Sequence, residues 1–124
     1  MTLDFIIADD SIQEAFKKIA SAQAGRRTVG ATATSKIMHM INPGFFVMSD
    51  DNIRYGYGCC DNELGYINFM WRMKLFGDSI INGYSSARNV QKEAAFQNLA
   101  SECKSSAPTL SKLIDEYNWV KYNS

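Results

Sequence analysis

Thr109-Leu110-Ser111-Lys112-Leu113-Ile114-Asp115-Glu116-Tyr117-Asn118-Trp119-Val120 decides the fold class. Its apolar residues Leu110, Leu113, Ile114, Tyr117 and Val120 recur at spacings of three and four, the period of a helix with one buried face. Thr109 follows Pro108 and can cap that helix, because its hydroxyl accepts a hydrogen bond from an unpaired first-turn amide. The same period recurs upstream. Ser86 can cap a helix from Ala87 to Cys103, built on Val90, Ala94, Phe96, Leu99 and Cys103. Asp61 can cap another, with Leu64, Ile67, Met70, Trp71 and Leu75 on one side and Gly77 as its stop. Ile80 and Ile81 belong to a short helical piece whose limits the pattern leaves open.

Towards the N-terminus, Ala33, Ile37, Met40 and Ile41 form the stripe of a helix from about Thr32 to Ile41, stopped by Asn42-Pro43-Gly44. Ser11-Ile12-Gln13-Glu14 fits a capping box opening a helix on Ile12, Ala15, Phe16 and Ile19, with Gly25 as its end. Phe5-Ile6-Ile7-Ala8 reads equally as strand or helical lead-in. Phe45-Phe46-Val47-Met48 is a short buried run, and Ser49-Asp50-Asp51 offers caps for a brief turn through Ile53 that Gly56 and Gly58 break. Five to six helices with short connectors predict an all-α bundle with a glycine-containing, hairpin-like turn.

The chain has 124 residues, which suits one helical domain over 1–124. Thirteen basic residues balance thirteen acidic ones, excluding a strongly cationic nucleic-acid coat and a polyacidic tail while leaving room for a local basic patch. Three cysteines, two of them adjacent (Cys59, Cys60 and Cys103), make a poor disulfide framework and point to reduced thiols in the cytoplasm. With one histidine, His39, they give few ligands for zinc, so neither metal nor cofactor is expected, although carboxylate-assisted coordination stays open. The N-terminus lacks the basic region of a secretory signal, and no apolar run approaches a membrane span.

Function rests on residues 26–57. Arg26-Arg27-Thr28-Val29-Gly30 is a polar turn, small residues Ala31 and Ala33 open the next helix, and its amides could receive an anion. Val29-Gly30-Ala31-Thr32-Ala33 resembles the hairpin end of the helix-hairpin-helix DNA glycosylase superfamily, and Asp50-Asp51-Asn52-Ile53 resembles its aspartate motif. The segment is also similar to small bacterial proteins that share Ser35-Lys36, an apolar helix, and then Pro43-x-Phe45-Phe46-Val47-x-x-Asp50. Both resemblances cover about residues 28–56. The glycosylase resemblance implies that Asp50 stabilises positive charge on a deoxyribose or orients water. It implies that the Gly30–Thr34 turn, through Gly30, Thr32 and Thr34, grips a DNA phosphate, with Arg26, Arg27, Lys36 and Arg54 supplying charge. Tyr55 or Tyr57 would stack on an extruded base. The hairpin departs from the family pattern by lacking a Leu-Pro-Gly opening and the lysine that a lyase uses.

Each of these residues also has an ordinary structural reading. Asp50 and Asp51 cap helices, Arg26 and Arg27 sit in a solvated loop, and Tyr55 and Tyr57 pack around a turn. His39 is a hydrogen-bonded residue, and the basic residues of Phe69–Lys74 snorkel from a core face. Two functions follow: a reduced nucleic-acid-binding protein, with or without base-excision-like chemistry, or a small inhibitor, immunity or phage accessory protein that binds a protein partner through Trp119 and Tyr122. A metal or small-molecule enzyme ranks third. The deciding expectation is that Asp50 is partly buried and shares a pocket with the Gly30–Thr34 turn.

Overall fold

The structure is a computed structural model and describes residues 3–123, with side chains from residue 9 onward. Among the described residues it is an all-α bundle of six helices with one very short hairpin. The first helix, α1 (Leu3–Ala20), already includes the Phe5–Ala8 run. Ser11 is therefore interior to the helix, and the expected capping box does not form. Ser11 and Glu14 both lie on the wet face, where polar residues do not interrupt the ladder, while Ile12 and Phe16 are buried.

Gly25 is not a helix stop. Strands β1 (Gln23–Ala24) and β2 (Arg27–Thr28) pair antiparallel, Ala24 opposite Arg27, and Gly25 opens the two-residue loop with φ +69°. A left-handed first loop residue matches strand twist, and glycine adopts it without a Cβ penalty. The chain thus runs helix, hairpin, helix into α2 (Gly30–Ile41), as the hairpin-like turn predicted.

Helix α2 corrects the expected stripe. Thr34, Ser35 and Met38 are buried, whereas Ala33, Ile37, Met40 and Ile41 face outward, Met40 78% and Ile41 69% exposed. Small hydroxyl residues face inward because the 45–49 segment lies directly against them. Ser35 Oγ accepts from the Ser49 amide at 3.0 Å and donates to the Ser49 carbonyl at 2.8 Å. Thr34 Oγ1 donates back to the Gly30 carbonyl. Phe46 and Val47 are buried as expected, and the His39 ring Nδ1 meets the Phe46 carbonyl at 2.6 Å.

Helix α3 (Asp51–Tyr57) runs through Gly56 and ends at Gly58, which is left-handed. Helix α4 (Glu63–Arg88) is capped by Asn62, one residue after the expected Asp61. It passes through Gly77, Ile80, Ile81 and Ser86 and ends at left-handed Asn89, so neither a stop at Gly77 nor a cap at Ser86 exists. Gly77 is retained for close packing: a Cβ there would stand 3.3 Å from Leu110 and 3.4 Å from Ile114. The buried face is Tyr66, Ile67, Phe69, Met70 and Met73, while Leu64 and Leu75, expected in the core, are exposed. Helix α5 (Lys92–Glu102) buries Ala95 and Ala100 rather than Ala94 and Cys103, both exposed.

Helix α6 (Leu110–Asn123) is capped by Thr109, whose Oγ1 accepts from the Lys112 amide at 3.1 Å. It too turns polar residues inward: Ser111, Asp115 and Asn118 are buried beside Ile114. The core gathers around α4, where Tyr66 stacks on Phe16 of α1 with ring centroids 4.6 Å apart. Ser111 Oγ donates to the Gly44 carbonyl at 3.1 Å and Thr109 Oγ1 to that of Pro43 at 3.2 Å, so the start of α6 clasps the end of α2. Hydrogen bonding compensates the cost of burying these polar groups.

Candidate functional site

Asp50 precedes α3, and its Oδ1 accepts from the Ile53 amide at 2.8 Å, the ordinary reach of an N-cap. Its Oδ2 accepts from Asn123 Nδ2 at 2.9 Å, at the far end of α6. The carboxylate is half-buried, with both oxygens engaged. It lines a cleft of about 300 Å³ with Lys36, Met48, Lys112, Asp115 and Trp119. Lys112 Nζ pairs with Asp115 at 3.1 Å. That lining includes Lys36, two residues past Thr34, and none of residues 30–34, so Asp50 is partly buried as expected but does not share its cleft with the Gly30–Thr34 bend itself.

The first turn of α2 faces Arg54 instead. Arg54 is 6% exposed; its Nη2 donates to Thr32 Oγ1 at 3.1 Å and to Asp51 Oδ1 within the same helix. Its Nη1 is buried without a hydrogen-bond partner. The guanidinium therefore ties α3 to α2 from inside the protein. Thr34 is fully buried, while Gly30 holds φ +80° at the start of α2, where no side chain caps the helix. Arg26 and Arg27 stand exposed on the hairpin.

The two tyrosines separate. Tyr55 is 81% exposed beside the Arg54–Asp61 cleft. Tyr57 packs edge-on to Phe69 at 5.8 Å and against Tyr122 at 5.1 Å, and its hydroxyl donates to Asn118 Oδ1 at 2.5 Å. Burial first, then the neighbouring Tyr122, pushes the Tyr57 phenol well above its ordinary range. The structure thus brings Thr32 to Arg54 and Lys36 to the Asp50 cleft, and leaves Arg26 and Arg27 at the hairpin.

Of the two residues read as partner contacts, Trp119 is 59% exposed. Tyr122 is half-buried over Gly56, where any Cβ would fall 2.1 Å from its ring. The sequence reading missed a different feature. Phe76 and Ile80 of α4, Leu99 of α5, and Leu113, Tyr117 and Val120 of α6 line an open groove of about 560 Å³. Its signal was present in the sequence as a broad α6 stripe, but the pattern alone could not tell a core face from a groove wall. Glu116 is the charged residue in that lining, and its Oε2 accepts from Ser105 Oγ at 2.9 Å.

Among the described residues no cluster of three His, Cys, Asp or Glu could hold a metal ion, and no helix is long and apolar enough to cross a membrane. No protein-family model, curated protein or solved structure matches the chain.

Proposed function

We propose that the protein is a small protein-binding module that seats an apolar helix of its partner in the groove between α4, α5 and α6. The observation that carries this reading is the outward turn of the α6 stripe: Tyr117 and Val120, the latter 60% exposed, open onto that groove instead of closing over the core. Clustered apolar surface of this kind gains about 25 cal/mol per Å² when a partner removes it from water. A groove walled by helices accepts the apolar stripe of another helix at i, i+3 or i+4 and i+7 anchors. In this reading Asp50 serves the fold, one oxygen capping α3 and the other holding Asn123 of α6. Free thiols at Cys60 and Cys103, both exposed, support a reducing compartment such as the cytoplasm.

A displayed library of random helix-forming peptides tests the reading. Selection against the native protein should return peptides with helically spaced apolar anchors that lose binding to Val120→Asp and keep it to Arg26→Ala. Failure to enrich such peptides, or enrichment indifferent to Val120→Asp, overturns it.

A second reading, a reduced helix-hairpin-helix-type nucleic-acid binder, is favoured by the hairpin itself. Arg26 and Arg27 are exposed on a turn that leads into the uncapped N-terminus of α2, two features that suit a phosphate. Titration against single-stranded and duplex DNA at rising salt tests it. The expected result is salt-sensitive binding weakened by Arg26→Ala and Arg27→Ala; absence of binding at low salt removes it.

A further inference from the structure

The chain carries a helix of the kind its own groove would accept. On α2, Ala33, Ile37, Met40 and Ile41 lie within one arc of the helix surface, at spacings of four, three and one. Met40 and Ile41 are largely exposed and Ile37 is more than a third exposed. From Ala33 to Ile41 the stripe runs about 12 Å, and the α6 wall from Leu113 to Val120 runs about 10 Å, by the rise of a helix. The lengths match. The charges match as well: α2 carries Lys36 and no acidic residue, while Glu116 is the charged side chain lining the groove. With thirteen charges of each sign the chain has no net charge to hold copies apart.

Resting on the groove reading above, we infer that the occupant is α2 of a second copy. Two copies related by a two-fold axis each place the Ile37–Met40–Ile41 stripe in the other's α4–α5–α6 groove. A two-fold axis makes the two contacts identical, the stripe of each copy meeting the groove of the other.

Sedimentation velocity over a wide concentration range tests the inference, with Met40→Asp on the stripe and Val120→Asp in the groove. Both positions are exposed, so circular dichroism should show an unchanged helical fold. The native chain is expected to form a dimer that dissociates on dilution, and each variant alone to remain a monomer. An equimolar mixture of the two variants is expected to form a weaker heterodimer than the native pair, because one of the two contacts, the intact stripe of the Val120→Asp copy in the intact groove of the Met40→Asp copy, survives. A native chain that stays monomeric throughout overturns the inference, as does a dimer that survives both substitutions. If the native chain is monomeric yet still selects helical peptides sensitive to Val120→Asp, the groove reading stands and only the second copy is excluded as its occupant.

Discussion

Asp50 holds the start of α3 with one oxygen and the end of α6 with the other. Replacing it with alanine should lower stability by about 1–2 kcal/mol, since an N-cap and a second hydrogen bond are lost together. Asparagine should retain most of this, because its carbonyl oxygen caps nearly as well. Urea denaturation of the two variants checks both outcomes; equal losses would mean that the cap is not what Asp50 supplies. The cap was legible in Ser49-Asp50-Asp51, where a carboxylate stands just ahead of a short helix. Asn123, its other partner, lies 73 residues further on, and no local pattern signals such a pairing. Arg54 shows the same limit. A basic residue reads as surface charge until the fold supplies Thr32 and Asp51 to hold its guanidinium inside.

At the scale of elements, glycines mark where backbones meet. Gly65 lies in the first turn of α4, and a Cβ there would fall 1.9 Å from the Cys60 carbonyl oxygen. Backbone cannot swing aside as a side chain does, so Gly65→Ala should cost about 3 kcal/mol, the upper range for overpacking. Gly56→Ala meets the Tyr122 ring instead, at 2.1 Å. That ring sits in the last turn of α6 and can rotate away, so the loss should be smaller, about 1–2 kcal/mol. Thermal or urea unfolding of the pair checks the order, and a Gly56 variant less stable than the Gly65 variant would contradict it. Helix existence was readable from apolar spacing and breakers: α2, α3 and α6 fall near their expected places. Which side each helix buries was not readable for α2 and α6. Both hide hydroxyl, amide or carboxylate groups that find partners across the fold, Ser35 with Ser49 and Asn118 with Tyr57. Satisfied polar groups can be buried at little net cost, which frees the apolar residues to face outward.

For the whole molecule, two phenols contribute to the response to alkali. Burial raises the Tyr66 phenol far above its ordinary 10.0, and burial with Tyr122 does the same for Tyr57. Below about pH 10 both are neutral in the folded and unfolded chain alike, so stability does not depend on them. Above it the unfolded phenols ionise while the buried ones cannot, and the protein should lose stability steadily as pH rises. Tyr66→Phe should blunt that loss. At neutral pH it should cost nothing or stabilise slightly, because the buried hydroxyl has no hydrogen-bond partner. Unfolding midpoints at neutral and alkaline pH check this, and an unchanged alkaline slope in the variant would refute it. By itself the sequence determined that this chain is a helical bundle, where most helices lie, that a hairpin-like turn precedes α2, that Thr109 is a cap, and that Ser49-Asp50-Asp51 supplies a cap to a short helix. These follow from interactions within a few residues, such as periodic burial, capping and the limits of proline. Only the tertiary structure decided which helix faces are buried, that α4 runs unbroken through Gly77, and that α4, α5 and α6 leave an apolar groove open. Those outcomes depend on contacts between residues far apart in the chain, where a polar group finds its partner or an apolar one fails to.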